Sequence, residues 1–137
     1  AHREASRAFV LQWIRERLAQ GLAPAEILVL GLVKRDMQDF ADLLQHAGIA
    51  ARMLGAGAQR DGVRVSTIHG AKGLDADRVI VLDGHRLDAR DEVEGRRLLY
   101  IAMTRARTEL CVTYQRESAL MAALERSCAE VARDITG

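Results

Sequence analysis

No Gly-Lys-Ser or Gly-Lys-Thr triplet occurs in this sequence, so the chain has no phosphate-binding loop of its own with which to cradle a nucleoside triphosphate. Cysteine is scarce, and Cys111 and Cys128 alone do not indicate a disulfide scaffold. We expect reduced thiols in a cytoplasmic protein, with Cys111 a small core residue. No apolar run approaches the roughly 18 residues of a membrane span, so we expect no membrane partner.

The chain has no large excess of charge of either sign. It contains 20 Lys and Arg and 19 Asp and Glu, which gives a net charge of +1. A protein that binds duplex DNA alone usually carries a clear basic patch. We therefore expect nucleic-acid contacts that are weak or shared with another domain. Aromatic residues make up only 4% of the chain, which predicts a mainly aliphatic core. Trp13, on an amphipathic helical stripe, is either a core anchor or a base-stacking platform, and the first is favoured.

A length of 137 residues, 49% of them hydrophobic, predicts one domain spanning residues 1–137 with a proper core. Helical periodicity and short apolar runs alternate along the chain. This order predicts an α/β fold with a mostly parallel sheet covered on both faces. The predicted strands are 27–30, 50–53, 63–68, 79–82 and 110–114. The predicted helices are 10–18, 37–47, 94–107 and 118–132. A Gly-rich connection is predicted at 55–62 and a polar loop at 84–93.

The segment Thr67-Ile68-His69-Gly70-Ala71-Lys72-Gly73-Leu74-Asp75 begins at the end of the predicted strand at 63–68, and its residues from His69 to Asp75 lie just after that strand. Ligands of parallel sheets gather at the carboxyl ends of strands, so we expect this segment to face one. Thr67 and His69 can donate hydrogen bonds to a DNA phosphate, and Asp75 can accept them from a ribose hydroxyl. From the residues alone, a simple tight turn with a solvated lysine is an equally good interpretation.

The second segment is the predicted helix at 94–107, on which Leu98, Ala102 and Arg105 share one face. An arginine at the end of an apolar stripe either pairs with a structural carboxylate or points into a cleft between domains. In a cleft, its guanidinium can stabilise charge on a transferring phosphoryl group, as an arginine finger does. Arg107 is expected to be solvated.

Both segments resemble signature motifs of the UvrD/Rep family of superfamily 1 DNA helicases. Residues 67–75 are similar to T-x-H-x-x-K-G-L-E, and residues 94–106 are similar to E-E-R-R-L-x-Y-V-A-x-T-R-A. Residues 4–53 resemble the stretch that precedes these motifs, and Leu-Asp-Ala-Asp is closer to the helicase IV-like branch. The resemblance implies a second, C-terminal RecA-like domain of the P-loop NTPase type, with three layers and about five strands.

The resemblance also implies roles for single residues. In the family the motif histidine contacts single-stranded DNA, which falls on His69, beside Thr67. The glycine near the γ-phosphate corresponds to Gly73, and the acidic residue at the nucleotide sugar corresponds to Asp75. The arginine that meets the γ-phosphate corresponds to Arg105. ATP with Mg²⁺ would bind only together with an N-terminal RecA-like domain that carries the missing phosphate-binding loop.

This sequence departs from the family at four places. Asp75 replaces a glutamate and shortens that side chain by one methylene, and Gly95 replaces a second glutamate. Gly31-Leu32-Val33-Lys34 stands where the family has Y-R-T-N, so an arginine and an asparagine that help to hold DNA are absent. About ten residues, 54–62, occupy the place of a large helical insertion.

The motifs and the departures leave two functions open. The first is the C-terminal motor domain of an ATP-dependent DNA helicase with 3′-to-5′ polarity, inactive as an isolated fragment. The alternative is a catalytically silent RecA-like scaffold that binds partners. The retained motif residues favour the motor.

Overall fold

A computed structural model of the chain describes residues 2–53, 62–71, 74–82 and 92–113. Five parallel strands form one sheet in the order β2-β3-β1-β4-β5. The elements are α1 (His2–Ala19), β1 (Ile27–Gly31), α2 (Lys34–His46), β2 (Ala51–Met53), β3 (Val63–Thr67), β4 (Ala76–Val81), α3 (Glu92–Arg105) and β5 (Ala106–Val112), with short 3-10 turns at Pro24–Glu26 and His69–Ala71.

Some predicted segments fall outside the described residues. These are the closing helix predicted at 118–132, most of the polar loop predicted at 84–93, and the Gly-rich connection predicted at 55–62 apart from Gly62. The strands on either side of the Gly-rich connection, β2 and β3, are neighbours in the sheet, with Met53 opposite Val65.

The central strand β1 is buried along its whole length, as expected for a parallel strand covered on both faces. Its side chains alternate between two separate cores: Ile27 and Val29 face one side of the sheet, and Leu28 and Leu30 face the other. The continuous apolar run at 27–30 therefore supplies both cores, and the predicted α/β fold with a covered parallel sheet is confirmed.

Helices α1 and α2 cover the first face of the sheet. Trp13 is 8% exposed, and the Arg17 guanidinium lies 4.1 Å from its ring centroid. Trp13 is thus a core anchor and offers no open face to a base. Cys111 packs at the edge of this core, where burial raises the pKa of its thiol. The other large side chains of this core include Val10, Ile14, Met37, Phe40 and Leu44.

Helix α3 covers the second face together with the segment 68–75, which joins β3 to β4. Since β3 ends at the carboxyl edge of the sheet and β4 begins at the amino edge, this segment must cross the sheet. It does so beside α3, in a shared apolar cluster. The cluster comprises Leu28, Leu30, Ile68, Ala71, Ala76, Val79, Val81, Leu98, Leu99 and Ala102.

Several elements begin earlier than predicted, and the largest change of assignment is at the junction of α3 and β5. Helix α3 ends at Arg105 and β5 begins at Ala106, whereas the sequence predicts a helix to 107 and a strand from Leu110. Among the described strands, β5 lies at the sheet edge and pairs with β4 alone, and after Ala106 its residues from Arg107 to Glu109 are polar and at least partly exposed. An apolar run in a sequence indicates only the part of a strand that is buried under other elements. The polar residues at the start of β5 could therefore not be predicted as strand.

We predict that Phe40→Ala lowers the free energy of unfolding by about 3–5 kcal/mol, because the ring is 2% exposed and its loss leaves a cavity under α2. Leu43→Ala, on the same helix but at a side chain that is 38% exposed, should cost about 1 kcal/mol or less. Urea denaturation of the two variants measures both values, and equal losses would contradict the assignment of the α2 face.

Candidate functional site

Backbone hydrogen bonds hold the described part of the segment 68–75, which comprises residues 68–71, 74 and 75. At the carboxyl edge, Ile68 N donates to Gly31 O at 2.9 Å. The chain then turns, with Ala71 N bonded to Ile68 O at 3.2 Å and Leu74 N bonded to Ala71 O at 3.0 Å.

The first motif is therefore divided between the two edges. Thr67 and His69 lie at the carboxyl edge, as predicted, but Asp75 immediately precedes β4 and lies at the amino edge. The expectation that the whole motif faces a ligand at the carboxyl ends of the strands is wrong for Asp75. Gly73, predicted to lie beside the nucleotide, and its neighbour Lys72 fall outside the described residues.

Thr67 stabilises the turn that follows it. Its Oγ1 accepts a hydrogen bond from Gly70 N at 3.1 Å. The hydroxyl hydrogen is not used in that bond, so it remains able to donate to a phosphate oxygen. A Cβ at Gly70 would lie 2.8 Å from Ser66 Oγ and 3.1 Å from Thr67 Oγ1, so glycine fits this turn best.

His69 lies beside the start of α3. Its Nε2 is 3.8 Å from Glu94 Oε1, and its side chain is 61% exposed. Glu94 also lies 3.8 Å from Arg97 Nη1, so the histidine, the carboxylate and the guanidinium form one exposed group. They line a pocket of about 130 Å³, too small for a nucleoside triphosphate but wide enough for a phosphate group. Its lining residues are Ile68, His69, Glu94, Arg97, Leu98 and Ile101.

At the amino edge, the carboxylate of Asp75 is 67% exposed and lies 3.2 Å from Arg107 Nη1. Arg107 also pairs with Glu26. Partial desolvation acts to lower the pKa of Arg107, but the negative charges of Glu26 and Asp75 outweigh it and raise that pKa. Although half exposed, Arg107 is thus ion-paired and not simply solvated as expected.

Arg105 is held differently. Its Nη1 donates to Leu74 O at 3.2 Å and its Nε to Ile101 O at 3.4 Å. Among the described residues, no carboxylate lies within ion-pair distance of Arg105. The sequence leaves two roles open for Arg105, pairing with a structural carboxylate or pointing into a cleft between domains. The first of these does not occur among the described residues. Two backbone carbonyls orient the guanidinium without neutralising its charge.

Arg64 is the residue at this edge that sequence reasoning missed. Its Nε donates to Ala25 O at 2.9 Å and its Nη2 to Asp75 O at 2.8 Å. Burial lowers the pKa of Arg64, and the charges of Glu26 and Asp75 oppose that shift. A lone arginine between two valines of a strand gives no sign of these partners.

The candidate residues thus form two groups joined by α3. We call Thr67, His69, Glu94 and Arg97 the carboxyl-edge group, and Glu26, Arg64, Asp75, Arg105 and Arg107 the amino-edge group. Glu94 and Arg105 are separated by about 16 Å along the helix, at about 1.5 Å per residue.

Within the described ranges, no group of three or more His, Cys, Asp or Glu side chains is arranged to hold a metal ion. None of the helices described in those ranges is long and apolar enough to cross a membrane.

A solved structure similar to this chain is the C-terminal domain of a possible DNA helicase from Lactobacillus plantarum WCFS1, with a TM-score of 0.70 and 21% identity over 87% of this chain and 73% of that one. At this identity the likeness shows the fold alone. The model of the UvrD-like helicase C-terminal domain family matches residues 27–117. The chain belongs to that family. A search among curated proteins finds no significant match.

The turn at Thr67 allows a direct test. We expect Thr67→Val to lower the free energy of unfolding by about 1 kcal/mol, because Gly70 N loses its acceptor while the side chain keeps its shape. Thr67→Ser keeps the hydroxyl and should lose less. Urea denaturation of both variants gives the comparison. A valine variant as stable as the wild type would show that the hydroxyl does not hold the turn.

Proposed function

We propose that this domain is the C-terminal motor domain of an ATP-dependent DNA helicase and that Arg105 is its arginine finger. The observation that carries the proposal is the environment of Arg105: two backbone carbonyls orient its guanidinium, and no described carboxylate neutralises it. A finger needs this combination, because it must be fixed in direction and still bring net positive charge to the transferring phosphoryl group.

ATP and Mg²⁺ are bound, in this proposal, between this domain and an N-terminal RecA-like domain. The present chain has no Gly-Lys-Ser or Gly-Lys-Thr, so the phosphate-binding loop must come from the other domain. From this chain, Gly73 lies beside the γ-phosphate and Asp75 accepts hydrogen bonds from the nucleotide sugar. The exposed carboxylate of Asp75 fits that role, provided that it shares or releases Arg107 when the nucleotide arrives.

Single-stranded DNA is bound at the carboxyl-edge group. His69 and Thr67 donate to a DNA phosphate, and the pocket beside His69 has the size of such a group. Gly31, at the place of the family's Y-R-T-N segment, pairs in register with Thr67. The arginine and asparagine of that segment would lie next to this group, and their absence leaves His69 a larger share of the contact.

The two groups are mechanically linked in this proposal. Domain closure over ATP acts at the amino edge, while DNA is held at the carboxyl edge, and both edges belong to one packed unit of α3 and residues 68–75. Closure and reopening would therefore displace the DNA-binding end as a rigid body. The direction of travel is proposed to be 3′ to 5′.

Two features of the chain favour the alternative function, that of a catalytically silent scaffold. Gly95 is buried in α3 where the family has glutamate, and the Y-R-T-N polar residues are absent. Neither feature changes the amino-edge group. The orientation of Arg105 by Leu74, which belongs to the other motif, favours the motor.

We predict that Arg105→Ala in the two-domain protein lowers ATP turnover by about 10³–10⁵-fold, with nucleotide affinity and fold nearly unchanged, because a finger acts mainly in the transition state. Steady-state phosphate release and nucleotide binding measure the two effects. Arg78→Ala, which removes a partly buried arginine that pairs with Asp77 and Glu109, is the matched control and should retain turnover. If turnover of the Arg105 variant falls only in proportion to the folded fraction, Arg105 is structural.

The chain by itself is predicted to show no ATPase or unwinding activity, since it lacks a phosphate-binding loop. Phosphate release with and without single-stranded DNA tests this. Turnover above background that copurifies with the domain through successive columns would contradict the two-domain motor.

We also predict weak binding of single-stranded DNA by the isolated domain, weakened further by His69→Ala. A net charge of +1 releases few counterions, and the buried Trp13 supplies no stacking platform. Fluorescence anisotropy with a labelled oligonucleotide at two salt concentrations is the measurement. His46→Ala, an exposed histidine at the end of α2, is the control. Binding that is tight at moderate salt, or indifferent to His69, would place the DNA surface elsewhere.

A further inference from the structure

Arg105 depends on another segment for its position. One of its two observed bonds, to Ile101 O, belongs to its own helix and is long at 3.4 Å. The other, to Leu74 O at 3.2 Å, reaches across to the end of the crossing segment. The direction of the Arg105 guanidinium therefore depends on the position of the backbone at Leu74 and Asp75.

Residues 74 and 75 are in turn fixed by Arg64. Leu74 N is bonded to Ala71 O at 3.0 Å, but Asp75 lies at an exposed corner with 67% of its side chain accessible. The Asp75 carbonyl oxygen is held by Arg64 Nη2 at 2.8 Å. The carbonyls of two consecutive residues, Leu74 and Asp75, thus each accept from a different arginine.

Arg64 has a firm base for this contact. It extends from β3, whose neighbours Val63 and Val65 are fully buried, and its Nε is anchored on Ala25 O at 2.9 Å, just before β1. One planar guanidinium therefore joins β3, the entry to β1 and the entry to β4. Lysine cannot reproduce this, since it has a single nitrogen head in place of a rigid fork.

We propose that Arg64 is a positioning residue for the finger: it fixes the Leu74–Asp75 backbone and, through Leu74, the guanidinium of Arg105. The catalytic half of this proposal rests on the function proposed above. The structural half does not, because it concerns only the position of Arg105 within this chain.

Arg64 is distinguished here from Arg107, which also reaches Asp75. Arg107 contacts the carboxylate of Asp75, which shares or releases Arg107 if it meets a sugar. Arg64 contacts the backbone carbonyl, which can stay bonded while the side chain moves. Arg64 can therefore keep this bond in both the nucleotide-free and the nucleotide-bound state.

The structural half is tested in the 137-residue chain by NMR of the arginine Nε–H groups. The Arg105 signal is assigned by its loss in Arg105→Lys. Arg64→Met, which keeps the apolar stem and removes both donors, should shift that signal, and Arg64→Lys should shift it less. Arg78→Met, a matched loss of a partly buried arginine, should leave it in place. An Arg105 signal that is unmoved by Arg64→Met in folded protein overturns the proposal.

The catalytic half is tested in the two-domain protein by a double-mutant cycle. Arg64→Met should lower kcat by about tenfold to a hundredfold, because small misplacements of a catalytic group have effects of that size. In the Arg105→Ala background it should have no further effect on kcat. If the kcat losses of the two single variants multiply in the double variant, the two arginines act independently and the proposal is overturned. An Arg105→Ala enzyme with wild-type turnover would instead overturn the role of Arg105 as a finger. In that case the NMR result alone decides whether Arg64 positions Arg105.

Discussion

The packing of α3 against residues 68–75 is the interaction on which both candidate groups depend. Ile68 and Ala71 are fully buried beside Leu98 and Ala102, so the crossing segment and the helix share one apolar cluster. This cluster sets the distance between His69 and Glu94 at one edge, and between Leu74 and Arg105 at the other. A change in that packing would disturb both edges at once.

At the amino edge of the sheet, Arg105 and Arg107 are close in sequence but donate to different kinds of hydrogen-bond acceptor. Arg107 is paired with two carboxylates, whose charges offset its own. Arg105, only two residues earlier, is held by carbonyl oxygens, which orient a guanidinium without cancelling its charge. This difference supports the phosphate-facing role that we propose for Arg105.

The fold could be predicted from the sequence because the apolar run at 27–30 and the alternation of strands with helices leave few arrangements. The candidate residues Thr67, His69, Asp75 and Arg105 could be selected from their motifs, but not their separation onto two edges, which depends on the path of the crossing segment. The partners of Arg64 and Arg107 could not be predicted. Glu26 is 81 residues from Arg107, and no local pattern links them.

The most direct test of the central claim is a structure of the two-domain protein with ADP, fluoroaluminate, Mg²⁺ and single-stranded DNA. Our account predicts that the Arg105 guanidinium donates to the fluoroaluminate at about 3 Å while remaining bonded to Leu74 O, with DNA at His69 on the opposite edge. An Arg105 that stays away from the fluoroaluminate, with Arg107 or another cation in its place, would contradict the account.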